Sequence, residues 1–128
     1  MGKARVPFGM WPSPIDGAMV AGKTRRFGDV QVSGGWVWWS ETRPEEDGRG
    51  VLMRVRPGSG DAAEDKLPAP WSAESRVHEY GGGEFHVSGD DAFFVNADDQ
   101  DIYRLSHGDV HRVTDAPGVR FADIQHDA

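Results

Sequence analysis

An all-β fold, an incomplete β-propeller, is predicted from three features of this sequence. Apolar residues alternate with period two in short runs rich in Val, Phe and Trp, the signature of strands rather than helices. Its 17 glycines and 8 prolines are spread along the chain, so turns recur between those runs. The third feature is an internal repeat. Arg26-Phe27-Gly28-Asp29-Val30-Gln31-Val32 returns almost letter for letter as Arg120-Phe121-Ala122-Asp123-Ile124-Gln125-His126, and Glu84-Phe85-His86-Val87-Ser88-Gly89 aligns with Asp29-Val30-Gln31-Val32-Ser33-Gly34. Aligning Asp29, Glu84 and Asp123 gives offsets of 55 and 39 residues, the spacing of propeller blades once a longer loop in the first unit is allowed for.

The expected organisation is two four-stranded antiparallel blades plus the first strand of a third, preceded by an extended arm with one short helix. The boundaries are 1–25 for the arm, 26–75 and 76–118 for the two blades, and 119–128 for the first strand of a third. In the arm, three prolines between Val6 and Ile15 favour extended backbone, and Ser13-Pro14 caps a helix that runs to about Gly22. The first blade opens with alternation over Phe27–Val32 and a Ser33-Gly34-Gly35 hairpin. Trp36-Val37-Trp38-Trp39 is aromatic and β-branched throughout, as for a strand buried on both faces. Arg43–Gly50 is a charged loop, Val51–Arg56 a third strand, and Glu64–Leu67 a short, exposed outer strand stopped by Pro68-Ala69-Pro70. In the second blade the strands are Glu84–Val87, Ala92–Val95, Ile102–Leu105 and Val110–Val113, and Asn96–Asp101 is a polar tip. A ring needs about four to eight blades, so two blades and a strand leave an open edge and an unpartnered face. Self-association is the expected consequence.

Composition narrows the function. At 128 residues and a formal charge of −7, the chain is one domain's worth of protein without the clustered Lys and Arg that phosphate binding requires, so no nucleic-acid partner is expected. Zero cysteines exclude disulfides, thiolate metal sites and a Cys nucleophile, and fit a cytoplasmic location. No apolar run is long enough for a membrane span and no signal peptide is recognisable.

Arg76-Val77-His78-Glu79-Tyr80-Gly81-Gly82-Gly83 has the least ordinary composition in the chain: three consecutive glycines beside four polar side chains. Arg76, His78, Glu79 and Tyr80 are the candidate site residues, as a substrate or domain contact. The competing explanation is a bulged strand entrance whose polar neighbours tie down a loop. A zinc site is not expected, because His78 and His86 are eight apart across glycines rather than four apart on a helix. Asp98, Asp99 and Asp101 lack the central glycine and distal glutamate of a calcium loop. His107 and His111 flank a turn, and the tryptophans of the second strand are blade packing rather than a sugar platform. No metal or cofactor is expected.

Taken together, Phe8-Gly9-Met10-Trp11-Pro12-Ser13-Pro14-Ile15, Arg26-Phe27-Gly28-Asp29-Val30, Asp101-Ile102-Tyr103-Arg104-Leu105 and above all Arg76–Gly83 resemble the amino-terminal region of the dipeptidyl aminopeptidase/acylaminoacyl peptidase type in the prolyl oligopeptidase family of serine peptidases. The resemblance implies a propeller over an α/β-hydrolase domain, gating the access of short peptides to a Ser-Asp-His triad. It also implies partners outside this chain: the remaining blades and the hydrolase domain. None of the triad can be assigned here, because no serine sits in Gly-x-Ser-x-Gly and strands do not alternate with long helices. The chain by itself is therefore expected not to be an enzyme. Glu79 is a candidate for pairing with a peptide amino terminus and Arg76 for pairing with a carboxylate. The alternative is a free-standing small β interaction module that oligomerises.

Overall fold

The computed structural model describes residues 25–77 and 82–126. The expected arm and its helix lie outside them. Eight strands form two four-stranded antiparallel sheets, each in sequence order. The first contains β1 (Arg26–Ser33), β2 (Trp36–Arg43), β3 (Arg49–Val55) and β4 (Glu64–Asp65); the second contains β5 (Phe85–Ser88), β6 (Asp91–Val95), β7 (Ile102–Ser106) and β8 (Asp109–Arg112). This is the two-blade meander that the repeat predicts.

Hairpin chemistry sets the register. Gly34 and Gly35, the whole β1–β2 loop, have φ of 59° and 80°, the left-handed pair of a type I′ turn, whose twist matches the flanking strands. Two strand predictions need correction. The Trp36–Trp39 strand is not buried on both faces: Trp38 is 1% exposed, but Trp36 and Trp39 are only half-buried. The two faces meet different surroundings, since Trp38 points at the second sheet whereas Val30, paired with Trp39, lies on the opposite face and is 64% exposed. The outer strand is also shorter than expected. It stops after Asp65 because Leu67 leaves the ladder and becomes buried in the core. Likewise the charged loop between β2 and β3 contracts to a 3-10 turn at Pro44–Glu46 and its flanking residues, as β2 continues to Arg43 and β3 begins at Arg49.

The core lies between the sheets, not inside either one. Trp38, Leu52 and Leu67 of the first unit meet Phe85, Val87, Phe94, Tyr103 and Leu105 of the second. Trp71, in the connection, places its ring edge-on to Phe94 at 6.2 Å and tilted over Tyr103 at 4.6 Å. Each large apolar side chain buried here contributes about 1.5–3 kcal/mol, so the two sheets hold each other folded.

Polar contacts join them as well. The Gln31 side chain donates from Nε2 to the Phe85 carbonyl at 2.8 Å and accepts at Oε1 from the Val87 amide at 2.9 Å, bridging β1 to β5 where no strand ladder does. The connection straps both sheets: Ala73 N–H donates to Gly50 O at 2.9 Å and Glu74 N–H to Val95 O at 2.9 Å. Gly50 is obligatory at this crossing, because a Cβ there would overlap the Ala73 carbonyl.

Residues 119–128 are expected to be a first strand. Of these, the described residues 119–126 form no strand, although the Asp123 amide donates to Gly83 O at 2.9 Å and His126 stacks on Phe93 at 5.1 Å. An innermost blade strand pairs with the second strand of its own blade, and the described residues contain none for it.

Candidate functional site

Of the four predicted site residues, His78, Glu79 and Tyr80 lie outside the described residues. Arg76 is exposed, and its main-chain N–H donates to Gln100 Oε1 at 2.8 Å. Gln100 in turn donates from Nε2 to Glu74 O at 3.0 Å and to Ala97 O at 3.1 Å. The backbone leading into the glycine-rich stretch is thus fixed by a side chain from the second sheet.

That side chain belongs to the loop that reads in the sequence as a polar tip. Asn96, Gln100 and Asp101 are instead buried. Asp101 Oδ1 accepts from Thr114 Oγ1 at 2.8 Å and from the Ala116 amide at 3.0 Å, while Oδ2 pairs with Arg112. Burial pushes the Asp101 carboxyl up, but Arg112, Thr114 and the Ala116 amide together outweigh it and hold the group below its ordinary range. Tyr103 donates its phenol proton to Asp99 Oδ2 at 2.5 Å; burial and that carboxylate push it up to about 12. These carboxylates have partners inside the fold, so the loop locks the second sheet rather than offering ligands. Among the described residues no group of three or more His, Cys, Asp or Glu is placed to hold a metal ion.

A deeper concavity than this loop offers lies elsewhere. A cleft of about 430 Å³ opens where β1 and β5 begin and β2 ends. Its walls carry Ser40, Glu41, Glu74 and Glu84. Glu84 is only 7% exposed, although it stands at the repeat position also occupied by Asp29 and Asp123. Ser40 Oγ donates to Glu84 Oε1, and Glu84 Oε2 has no hydrogen-bond partner among the described residues. Neighbouring Glu41 is fully engaged, one oxygen accepting from Trp39 Nε1 at 3.1 Å and the other from Arg25 at 3.2 Å. Glycine keeps the space open: a Cβ on Gly28 would collide with Ser40 Oγ and Glu84 Oε1. On the neighbouring turn, Gly83 has φ of 69° and its amide donates to Asp29 Oδ2 at 2.7 Å. Sequence alone does not mark Glu84, which stands at a strand start where every repeat unit has an acid; its signal is an acid between a glycine run and a buried strand.

No family description and no curated protein matches the chain, but solved structures do. A puromycin-hydrolyzing peptidase of Mycobacterium tuberculosis is 42% identical, superimposes with a TM-score of 0.78, and is matched over 94% of this chain and 20% of its own. A puromycin hydrolase is 35% identical over 87% of this chain and 18% of its own, with a TM-score of 0.63. A puromycin hydrolase mutant complexed with PGG is 36% identical over 84% of this chain, with a TM-score of 0.62. These solved structures are peptidases of the prolyl oligopeptidase family, to which the chain is similar over nearly its whole length. It corresponds to a propeller segment of that family's peptidases, about a fifth of the length of the solved relatives. Among the described residues no helix is long and apolar enough to cross a membrane.

Proposed function

We propose that this chain is a substrate-gating part of a peptidase propeller, acting beside an α/β-hydrolase domain on short peptides and carrying no catalytic residue of its own. The observation behind this is the identity of 42% maintained across 94% of the chain with a peptidase of which it covers only 20%. Arg76, His78, Glu79 and Tyr80 are part of the same proposal, as a contact with substrate or with the hydrolase domain; a dipeptidyl aminopeptidase or acylaminoacyl type and a cytoplasmic location complete it. The unit boundaries 26–75, 76–118 and 119–128 belong to it too.

The test is a chimaera in which this chain replaces the corresponding segment of the M. tuberculosis peptidase. The expected result is a folded protein that hydrolyses puromycin, while the chain alone releases no product. Carrying Glu79→Gln or Arg76→Lys into the chimaera should change kcat/KM for short peptides. A folded chimaera with the same rate on short and long peptides as one carrying an unrelated β-sheet insert would sink the gating role.

A further inference from the structure

We propose that the cavity between the start of β2, the end of β3 and the β7–β8 turn is a binding site for a small oxyanion, with Arg54 and Lys66 as its donors. Its volume is about 250 Å³, and it lies at the opposite end of the sheets from the cleft beside Glu84. Trp36, Arg54 and Lys66 line it from the first sheet, and Asp90, Leu105 and His107 from the second. Arg54 is held in place rather than draped on the surface. Its side chain is 15% exposed, its guanidinium lies 3.9 Å from the Trp36 ring centroid and 5.3 Å from that of Trp38, and its Nε donates to Glu64 Oε2 at 2.9 Å. A guanidinium stacked on indole rings keeps its fork in one plane, so it loses little freedom on binding. Yet the two terminal nitrogens of Arg54 have no acceptor among the described residues, and both keep accessible surface.

The charges around the cavity select the class of ligand. Lys66 Nζ stands 3.8 Å from Glu64 Oε2, an ion pair too long for a hydrogen bond, so its N–H donors stay available. Arg56 places a second guanidinium over Trp36 at 4.7 Å and makes no ion pair among the described residues. Three cationic side chains thus face two carboxylates, Glu64 and Asp90, and His107 adds an imidazole from the β7–β8 turn. The local balance is positive in a chain whose formal charge is −7. The molecule as a whole repels anions, so one that binds must be held by directional contacts. A guanidinium fork beside an ammonium offers those contacts to two oxygens of one phosphate or carboxylate, whereas a chloride ion has no pair of acceptor atoms to match the fork.

The test needs only this chain and three salts. The 15N-labelled protein is titrated with sodium phosphate and with sodium acetate, each compared with sodium chloride at the same ionic strength. Saturable shifts centred on the Trp36 indole N–H, Arg54 Nε and the Lys66 and His107 amides are expected for an oxyanion, with chloride roughly tenfold or more weaker. Tighter phosphate than acetate assigns a phosphoryl ligand, and tighter acetate a carboxylate. Arg54→Lys, which keeps the charge and removes the fork, should weaken the oxyanion by about tenfold, and Lys66→Gln by about threefold or more. An equal response to chloride, no saturable response, shifts centred elsewhere, or an unchanged titration in both variants would each overturn the assignment. The comparison of salts uses the unaltered chain, so it decides the matter even if Arg54→Lys fails to fold. None of these readouts involves peptide hydrolysis, so their failure and that of the gating proposal are distinguishable.

Discussion

The two sheets share strand order and antiparallel pairing, yet the faces they turn away from each other differ in kind. On the first, Val30 and Val32 project from β1 at 64% and 74% exposure, backed by half-buried Val37, Trp39, Met53 and Val55. Only toward one end does that face close, where Glu41 and Val51 are buried. On the second, the corresponding rows read His86, Phe93, Arg104, His111 and Ser88, Asp91, Ser106, Asp109. There Phe93 lies between the His126 ring and the Arg104 guanidinium, and Arg104 pairs with Asp91 at 3.0 Å. One face is apolar and bare, the other polar and partly covered. Strand pairing alone therefore does not decide what a blade's surface becomes; the neighbour it is built to meet does.

Variants of the shared inner faces and of the free faces break that comparison at different strengths. The largest effect is expected between the sheets. Trp38→Ala should destabilise the chain by about 3–5 kcal/mol, measured by urea unfolding, because it empties the centre of the joint core. Loss at only one sheet's signals would show that the blades are independent and the joint core unimportant. Next is Gln100→Ala, which removes the acceptor of the Arg76 amide and the donor to Glu74 and Ala97; a loss of about 1–3 kcal/mol is expected. Hydrogen exchange at Arg76 should rise in that variant.

Two pH effects of opposite sense are expected in the second sheet. The native Tyr103 phenol keeps its proton up to about pH 12, above the ordinary value of 10.0. Its folded pKa is raised, so its contribution to stability is whole below pH 10.0 and is lost as the pH climbs through about 12. Ultraviolet titration of tyrosinate should show one late-titrating phenol that disappears in Tyr103→Phe. Asp101 acts in the opposite sense: its lowered carboxyl stabilises the fold above the ordinary aspartate range, and that is lost on acidification through its folded pKa. The smallest expected effect is on the bare face. Val30→Thr with Val32→Thr should change stability by less than about 0.5 kcal/mol each, while reducing any self-association seen by analytical ultracentrifugation.

Much of this was legible in the sequence. Alternation and turn residues located seven of the eight strands to within two residues at each end, because period-two patterning and turn chemistry are local properties. What escaped was set by contacts across the joint. Trp36 to Trp39 looked uniformly buried since apolar letters do not say which face has a neighbour. Asn96 to Asp101 reads only as a polar tip, since polar letters do not reveal that Arg112 and Thr114 return to meet them. Nor does the sequence show that Glu84 is buried, for burial of an acid depends on a fold that brings Ser40 beside it. The Arg76 to Gly83 stretch was singled out by composition, and of its four named side chains the structure places Arg76 alone.

The Gln31 amide grips only main-chain atoms of β5, the Phe85 carbonyl and the Val87 amide. A coupling that reads no side chain tolerates replacement of the module it holds. Gln125 recurs at the aligned position of the next unit, so the same fastening is available for copying a blade or exchanging one for another while the junction keeps its form.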